Sequence, residues 1–343
     1  MTDKLLITID FAPNTGGVAR YLSGYAKKNE FDVLACGKSE GVEENIFRKS
    51  LLWRMWPKWL PLLFWGFLYS RKYKEIAISH ILPVGYAALL SGKKYTVILH
   101  GLDILSAGKN SWKRFWSKMI LERADKIIAN SKATGELLYK IFGNPYRYEV
   151  EYPMIKPMPE GARNPKEKYS LSGFKVILSL GRLVKRKGQE KIIRLMPRIL
   201  DAVPNAVFLI AGGGEERENL EQTAQEMQLQ DRVIFLGKVK EAELPDLYSA
   251  CDVFVLTALP SKDNWEGFGM VCLEAAYFGK PVVVANVGGL PEAVENEKTG
   301  FVVKNDEELL EKIVLLLKDE ESAKKMGEEG KRWVNDKFLI SNF

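Results

Sequence analysis

Short apolar runs that alternate with amphipathic stretches dominate the second half of the chain. The runs KVILSLG, AVFLIAGGG, RVIFLG, DVFVL, PVVVA and FVV are rich in β-branched residues. Strands that are buried on both faces of a parallel sheet have this near-continuous apolar pattern. Helix-like segments separate the runs, so their order predicts a doubly wound α/β domain.

The first half of the chain shows the same alternation with less regularity. Strand-like runs begin at Lys4, Phe31, Glu75, Tyr95 and Lys126, and helix-like stretches lie between them. Strands that alternate with helices favour parallel sheets over antiparallel ones. The whole pattern therefore predicts an α/β protein with two Rossmann-like domains, each built on a doubly wound parallel sheet.

A proline-rich segment marks the boundary between the halves. The stretch EVEYPMIKPMPEGARNPKEK holds four prolines and few apolar residues after Ile155, and 343 residues exceed the length of one typical core. We expect an N-terminal domain over residues 1–155, a linker over 156–168 and a C-terminal domain over 169–325. The helix over residues 326–343 is expected to cross back to the first domain.

The formal charge of +6 is distributed unevenly between the halves. Residues 1–160 contain 24 Lys and Arg against 15 Asp and Glu, whereas the rest contains 26 against 29. The basic half indicates an acidic partner. The sequence shows no nucleic-acid module, and the aromatic content favours an anionic membrane surface over nucleic acid.

Composition also bears on location and on metal binding. The start of the chain enters a strand at once and lacks the pattern of a secretory signal, which predicts a cytoplasmic location. Three cysteines without paired spacing and only two histidines make a Cys/His metal site improbable. We therefore expect reduced, structural thiols, no metal and no cofactor.

The stretch DNWEGFGMVCLEAAYFGKPVVV carries the strongest chemical signal. Glu266 and Glu274 lie eight positions apart across a glycine-rich turn that opens a helix. The helical neighbours of Glu274 are apolar, so its carboxylate faces burial and needs partners, which two ligand hydroxyls could supply. The alternative is an ordinary helix with a capping Glu266 and with Glu274 paired to a lysine. The Gly-x-Gly between the two glutamates favours a ligand.

Other candidate ligand groups follow predicted strands, whose carboxyl ends are where α/β sheets bind ligands. In GRLVKRKG, Arg182 and Lys187 flank a turn that suits a diphosphate, whereas Lys185 and Arg186 fit a solvated helix start. His100 ends a strand, and its position favours a ligand role over that of a satisfied core histidine. The expected site is the cleft between the domains.

In chain order, these motifs make the whole sequence resemble the retaining glycosyltransferases of family 4, which have the GT-B fold with two domains facing across a cleft. The matching segments are NTGGVARYL, HGLDI, NSKAT, SLGRLVKRKGQ, and EGFGMVCLE followed by GKPVVVANVGGLPEAV. The resemblance implies transfer of a sugar from a GDP- or UDP-linked donor with retention at the anomeric carbon. No Asp-x-Asp pair is present to hold a divalent metal, so metal-independent catalysis is expected.

The resemblance also assigns roles to individual residues. The matching positions, with the part of the reaction that each would serve, are Glu274 for the ribose, Arg182 and Lys187 for the diphosphate, Gly16 and Gly17 for its inner phosphate, Glu266 with Gly267, Phe268 and Gly269 for the donor sugar, and His100 for the border of sugar and acceptor. The segment WEGFGMV resembles that of enzymes using GDP-mannose, which gives a lean toward mannose among the hexoses.

Residues 47–74 form a tryptophan-rich segment with basic residues at both ends. Its apolar core, residues 60–69, is about half the length that a bilayer requires, so it cannot span a membrane. It suits a segment in the headgroup region, with contacts expected from Trp53, Trp56, Trp59, Phe64 and Trp65. The alternative is a buried helix of the first domain. We expect a peripheral enzyme on the inner face of the cytoplasmic membrane, acting on a lipid-linked or glycan acceptor.

Two other functions fit the same sequence. One is a GT-B-like epimerase that isomerises the nucleotide sugar without an acceptor. The other is a catalytically silent partner subunit that only binds nucleotide or lipid. The presence of Arg182, Lys187, Glu266 and Glu274 favours an active transferase over a silent subunit.

Overall fold

The chain divides into two compact units. The computed structural model describes residues 2–13, 16–37, 45–143, 145–261 and 264–340. The first unit comprises Met1–Met154 together with Asp263–Gly267, and the second comprises Ile155–Lys262 with Phe268–Phe343. The short segment Asp263–Gly267 therefore belongs to the first unit although it lies within the sequence of the second.

A seven-stranded parallel sheet forms the centre of the first unit. Its strands are β1 Lys4–Thr8, β2 Asp32–Cys36, β3 Ile46–Lys49, β4 Glu75–Ser79, β5 Tyr95–Leu99, β6 Lys126–Ala129 and β7 Glu149–Val150. Their order is β3-β2-β1-β4-β5-β6-β7, and each neighbouring pair is parallel. The order reverses between β1 and β4, as in a doubly wound sheet.

The helices of the first unit connect these strands. They are α1 Gly17–Lys28, α2 Leu60–Ser70, α3 Val84–Ser91, α4 Leu102–Gly108, α5 Ser111–Arg123 and α6 Lys132–Phe142. Ser131 caps α6, because its Oγ accepts a hydrogen bond from the backbone N of Thr134 at 3.0 Å. A serine at this position satisfies one of the amides that a helix start leaves without a partner.

The tryptophan-rich segment, residues 47–74, contains more than one element. Phe47 belongs to β3, which pairs with β2 at the edge of the sheet. The helix α2 begins only at Leu60, with Pro61 in its first turn, where a missing N–H does no harm. Hydrophobicity alone did not distinguish the short edge strand from the helix that follows it.

A six-stranded parallel sheet forms the centre of the second unit. Its strands are β8 Lys175–Leu180, β9 Ala206–Ala211, β10 Val233–Gly237, β11 Val253–Leu256, β12 Val282–Ala285 and β13 Gly300–Val303, in the order β10-β9-β8-β11-β12-β13. The helices are α7 Pro165–Lys168, α8 Gln189–Ala202, α9 Arg217–Glu226, α10 Leu244–Ala250, α11 Met270–Tyr277, α12 Asp306–Lys318 and α13 Glu320–Lys337. All six residues of β9 are buried, which explains its unbroken apolar sequence.

The segment predicted as a linker packs against the second unit. Lys166 Nζ lies 2.8 Å from Asp252 Oδ2, and Lys168 Nζ lies 2.7 Å from Asp246 Oδ2. The backbone N of Ala162 also donates to Asp246, at 2.7 Å. Proline content did not reveal these contacts, which attach the segment to the second unit.

The C-terminal helix starts earlier than residue 326. Helix α13 begins at Glu320, where the Asp319 side chain accepts from Ser322 N at 3.0 Å. It packs closely on the turn after α11, because a Cβ added to Gly327 would clash with the carbonyl oxygen of Gly279. The predicted return of residues 326–343 to the first domain stays a prediction.

Candidate active site

The loops after β8 and β11 meet where the strand order of the second sheet reverses. Thr257 Oγ1 donates to the carbonyl oxygen of Gly188 at 2.9 Å, and Leu259 N donates to Arg186 O at 2.7 Å. Gly188 has φ +70°, and a Cβ there would clash with the carbonyl oxygen of Thr257. Only glycine fits this close approach. Ligands of doubly wound sheets bind at such a reversal.

Burial separates Lys187 from the other cations of its loop. Lys185–Lys187 form a short 3₁₀ helix, in which Lys187 is only 9% exposed and Lys185 is exposed to solvent. The Cε of Lys187 lies 3.8 Å from the position that a Cβ on Gly181 would take, directly after β8. A buried ammonium requires acceptors or negative charge around it. Arg182 is exposed at the same edge.

The triple glycine of residues 212–214 serves packing. A Cβ on Gly212 would clash with the carbonyl oxygen of Gly181, and one on Gly214 would clash with that of Leu183. Gly212 also has φ +137°. These glycines let the turn after β9 lie against the loop that carries Arg182, which explains them without a dinucleotide.

Glu274 lies on α11 and is buried, as the sequence predicted. Its side chain is 3% exposed, and the hydroxyl of Tyr248 donates to its Oε2 at 2.6 Å. Phe278 stacks on the Tyr248 ring, with centroids 5.6 Å apart. The carboxylate is thus held in a fixed direction by a protein hydroxyl, and a hydrogen bond to a charged acceptor of this kind is strong.

Phe268 and Gly269 lead into α11. The Phe268 ring is 2% exposed and packs 5.9 Å from the ring of Phe338. Gly269 has φ +89°, and an added Cβ would lie 2.6 Å from Leu290 Cδ2. The Phe268 side chain therefore belongs to the hydrophobic packing of the second unit, and a donor contact at this position would have to come from its backbone.

In the first unit, the residues that follow β4, β5 and β6 come together at one edge of the sheet. His100 is 5% exposed, its Nε2 lies 3.0 Å from Ser79 Oγ, and its ring meets Tyr21 edge to face at 5.5 Å. Burial, together with the charge of nearby His80, lowers the pKa of His100 well below its usual value. His100 is therefore a neutral imidazole at neutral pH.

Asp103 stabilises the turn that carries His100. Its Oδ1 accepts from the backbone N of His100 at 3.0 Å and from that of Gly101 at 2.8 Å. Burial raises the pKa of this carboxyl. Within the described residues, His100 Nδ1, Asp103 Oδ2 and Asn130 Oδ1 are buried without a hydrogen-bond partner. Buried polar atoms in this state are candidates for ligand contacts.

The loop that contains Glu266 lies against this edge. Trp265 Nε1 donates to Thr134 Oγ1 at 3.2 Å, and a Cβ on Gly101 would clash with the Trp265 ring. A Cβ on Gly267 would lie 2.7 Å from the carbonyl oxygen of His100. Glu266 is half-buried in this loop, whereas Asp263 lies outside the described residues. The two glutamates of the motif therefore belong to different units.

Gly16 and Gly17 begin α1 after the first strand. Gly16 is the N-cap with φ −68°, and among the described residues a Cβ on either glycine would meet no other atom within 4 Å. Neither backbone strain nor packing within this described part of the chain explains the two glycines. The open space beside the first amides of α1 would let a phosphate approach them.

Replacing Gly267 with alanine is expected to displace the loop that carries Glu266. The new Cβ would lie 2.6 Å from Asn130 Nδ2 and 2.7 Å from His100 O, closer than the atoms can approach. We expect at least a tenfold loss of activity, because small displacements of positioned groups have effects of that order, with little change in thermal stability. The matched control is Gly330→Ala, whose Cβ would make ordinary contacts from 3.4 Å outward. Equal activity in both variants would contradict a role for this loop.

An exposed aromatic surface lies on the first unit, and we define it by Trp53, Trp56, Phe64, Trp112 and Phe115. Their exposed fractions are 52%, 87%, 62%, 56% and 58%. The alternative, in which this segment is a buried helix, is wrong for Trp53, Trp56 and Phe64, because their side chains are exposed. Trp59 is half-buried against Tyr86, and Trp65 is half-buried beneath Lys49, whose Nζ lies 4.8 Å from the centroid of the ring.

Sequence reasoning missed the part of this surface that α5 supplies. Trp112 and Trp116 both contact Tyr86, at 6.1 and 5.6 Å between ring centroids, so Tyr86 joins α5 to Trp59. The signal was present as WKRFW, in which aromatic residues recur at helical spacing beside basic ones. Residues 46–74 and 104–121 contain no Asp or Glu. No helix in the described part of the chain combines the length and the apolar character needed to cross a membrane.

The two doubly wound parallel sheets define the class as a GT-B protein, and comparisons with known proteins agree. Residues 162–333 match the model of the glycosyl transferases group 1, and residues 15–157 match that of glycosyltransferase family 4. The chain belongs to this glycosyltransferase family. Its predicted fold, family and enzyme class are thereby confirmed.

Individual relatives cover nearly the whole chain. A GDP-mannose-dependent alpha-(1-6)-phosphatidylinositol monomannoside mannosyltransferase of Mycolicibacterium smegmatis is 29% identical, over 97% of this chain and 94% of that protein. Among solved structures, Anabaena HepE in complex with UDP and glucose has a TM-score of 0.78 at 23% identity, over 98% of this chain and 95% of that one. A sucrose-phosphate synthase of Thermosynechococcus elongatus has a TM-score of 0.80 at 22% identity, with the same coverage.

Proposed function

We propose that this protein transfers a hexose from a nucleotide diphosphate sugar to a lipid-linked or glycan acceptor, with retention and without a metal. The observation that carries the proposal is that Lys187 and Glu274 are both buried in the unit that matches the group 1 model. One supplies a cation and the other a fixed acceptor, which are the groups that a nucleotide diphosphate needs.

Each site residue has a proposed role. Glu274 would accept hydrogen bonds from the ribose hydroxyls, and Lys187 with Arg182 would neutralise the diphosphate. The amides of Gly16 and Gly17 would hold the inner phosphate, and Glu266 with residues 267–269 would contact the sugar. His100 would face the border between sugar and acceptor, because its Nδ1 is buried without a partner in the described part of the chain.

The proposed chemistry depends on charge stabilisation. As the bond from the anomeric carbon to the diphosphate oxygen breaks, negative charge grows on the leaving group, and fixed cations and amides lower the barrier most at that place. The acceptor hydroxyl would attack from the same face, and the departing phosphate would take its proton. No protein nucleophile is required in this scheme.

The donor is proposed to be GDP-mannose. The mycolicibacterial relative is described as GDP-mannose-dependent and matches the chain over most of its length, whereas the Anabaena structure contains UDP and glucose. A thermal-shift series with GDP, UDP and ADP tests this choice. A nucleotide at one hundred times its Kd stabilises the native state by about 2.7 kcal/mol. A shift with GDP alone supports the proposal, and no shift with any nucleotide contradicts it.

The aromatic surface is proposed to contact an anionic membrane. Exposed tryptophan and phenylalanine side chains beside lysine and arginine suit the headgroup region, and the absence of acidic residues from residues 46–74 and 104–121 favours anionic lipid. A phosphatidylinositol-linked acceptor, such as the relative's name describes, would lie in such a membrane.

Co-sedimentation with vesicles measures this contact. The native protein is expected to bind anionic vesicles at low salt and to bind less at high salt, because salt screens the attraction. Changing Trp56, Trp59 and Phe64 to serine, or Trp112 and Phe115 to serine, is expected to reduce the bound fraction. The control changes exposed Tyr139 and Leu315 to serine, which lie on α6 and α12. Equal recovery of all variants in the supernatant would leave no membrane role.

A further inference from the structure

The chain has only two histidines, and the structure brings them together. His80 follows β4 and His100 follows β5, which are neighbouring strands. Ser79 lies between them: its Oγ is 2.9 Å from His80 Nδ1 and 3.0 Å from His100 Nε2. The ring centroids are 5.3 Å apart. Sequence reasoning assigned a ligand role to His100 and none to His80 or Ser79.

His80 is held in an unusual backbone conformation. Its φ is +77°, a left-handed value that non-glycine residues seldom adopt, while its backbone N donates to Ile98 O at 3.2 Å. Such conformations are strained and persist where the surroundings enforce them, often at functional sites. The half-exposed ring of His80 can exchange protons with solvent, whereas that of His100 is buried.

The serine hydroxyl makes the two imidazoles depend on each other. A hydroxyl carries one proton, so Ser79 can donate to only one of the two ring nitrogens and must accept from the other. If it donates to His100 Nε2, the proton of neutral His100 is on Nδ1. If it donates to His80 Nδ1, His100 must carry its proton on Nε2, and Nδ1 becomes an acceptor.

We propose that His80, acting through Ser79, sets the tautomer of His100 and thereby decides whether His100 Nδ1 offers a proton to a ligand. When His80 is protonated, both of its ring nitrogens are donors, so Ser79 must accept from it and donate to His100. His100 Nδ1 then carries a proton, and because this atom is buried without a partner among the described residues, that proton is available to a ligand oxygen.

Titratable groups of two helices, Asp103 and Tyr21, face this pair within the described part of the chain. Asp103 of α4 is close enough for the charge of His80 to lower its pKa, against the larger effect of burial, which raises it. Tyr21 of α1 packs edge to face on His100. Protonation of His80 therefore favours the Asp103 carboxylate, which accepts hydrogen bonds from the backbone of the His100 turn.

His80 and Ser79 are positioning residues in this scheme. Only the identity of the ligand oxygen, a hydroxyl of the transferred sugar or of the acceptor, rests on the proposed function. The coupling between the two rings is a property of the unliganded protein. It can therefore be measured without substrate, and its failure can be distinguished from a failure of the proposed function.

The test is NMR of the full chain labelled with ¹⁵N-histidine, in which the side-chain signals come from four ring nitrogens alone. As the pH falls and His80 ionises, His100 is expected to stay neutral and to shift to the Nδ1–H tautomer with the same midpoint. Ser79→Ala is expected to abolish this shift. The matched control is Ser117→Ala, which removes another fully buried serine hydroxyl from the same unit.

A second variant tests the link without disturbing the serine. His80→Asn introduces asparagine, which tolerates the left-handed backbone conformation but has no group that ionises near neutral pH. In this variant the His100 tautomer is expected to be independent of pH, and the pH dependence of kcat is expected to flatten, with kcat/KM changing by about tenfold at most. A His100 tautomer that stays constant in the native protein while His80 ionises would overturn the proposal. So would an unaltered tautomer shift in Ser79→Ala.

Discussion

Replacing Lys187 with alanine is expected to lower kcat by about two to three orders of magnitude, the size of effect seen when one preorganised group is removed from developing charge. Lys187 is buried beside Gly181 at the strand-order reversal of the second sheet. Its cation would stabilise the departing diphosphate more than the bound donor, so the loss should fall on kcat more than on KM.

The same 3₁₀ helix supplies the control. Lys185 is exposed two positions earlier, and Lys185→Ala is expected to leave kcat within about twofold, since surface charges contribute little. Arg182→Ala should fall between the two, because Arg182 is exposed in the unliganded protein. Single-turnover rates show how much each of the three cations contributes to catalysis, and thermal melting shows whether each variant is folded. A Lys187→Ala variant that is folded and fully active would remove the cation from the proposed site.

Replacing Glu274 with glutamine is expected to weaken nucleotide binding by about ten- to a hundredfold. The charged carboxylate is lost while the side-chain volume is kept, and hydrogen bonds to charged groups are worth about 1.5–3 kcal/mol. The glutamine oxygen can still accept from the Tyr248 hydroxyl, which lies 2.6 Å from Glu274 Oε2. The fold should therefore survive, and titration calorimetry with the nucleotide measures the effect.

A second glutamate of the same unit serves as the control for the loss of a carboxylate charge. Glu226→Gln on the exposed face of α9 removes the same charge from a residue with no proposed contact, and its nucleotide affinity should equal that of the native protein. If Glu274→Gln also bound nucleotide with native affinity, its proposed contact with the ribose would be wrong. If it failed to fold, Tyr248→Phe would test the same carboxylate by removing its hydroxyl partner.

The fold could be predicted because both sheets are buried on both faces. β9 and β12 are apolar along nearly their whole length, and no other element produces such short runs between helices. The edge strand β3 was missed for the converse reason. Its four residues are half-buried, so its sequence carries no clear alternation and merges with the tryptophan-rich segment that follows.

The site could be predicted only in part. A sequence pattern shows which residues are neighbours along the chain, but it does not show which residues are neighbours across a sheet. The burial of Glu274 follows from its helical neighbours, and Lys187 stands at a strand end. That Ser79 lies between two imidazoles depends on β4 and β5 being neighbours in register, which no local pattern reveals. Phe268 looked like a donor contact, but its ring packs against Phe338 from the far end of the chain.

The aromatic surface shows the same limit. Residues 47–74 were recognisable by composition, whereas Trp112 and Phe115 lie some fifty residues further along, on a helix that Tyr86 links to Trp59. Exposure is set by which face of α5 the sheet covers. Composition could indicate a membrane contact, but it could not indicate the extent of the surface.

Sugar transfer itself is the most direct measurement. The protein is incubated with GDP-mannose, and separately with UDP-glucose, with and without anionic vesicles that contain a phosphatidylinositol-linked glycan. NMR follows the free nucleotide and the anomeric configuration of the sugar. The proposed function predicts release of GDP that depends on the acceptor, together with a product of unchanged anomeric configuration, in the presence of EDTA. Isomerisation of the sugar while it is still attached to the nucleotide, or release of no nucleotide from any donor, would contradict it.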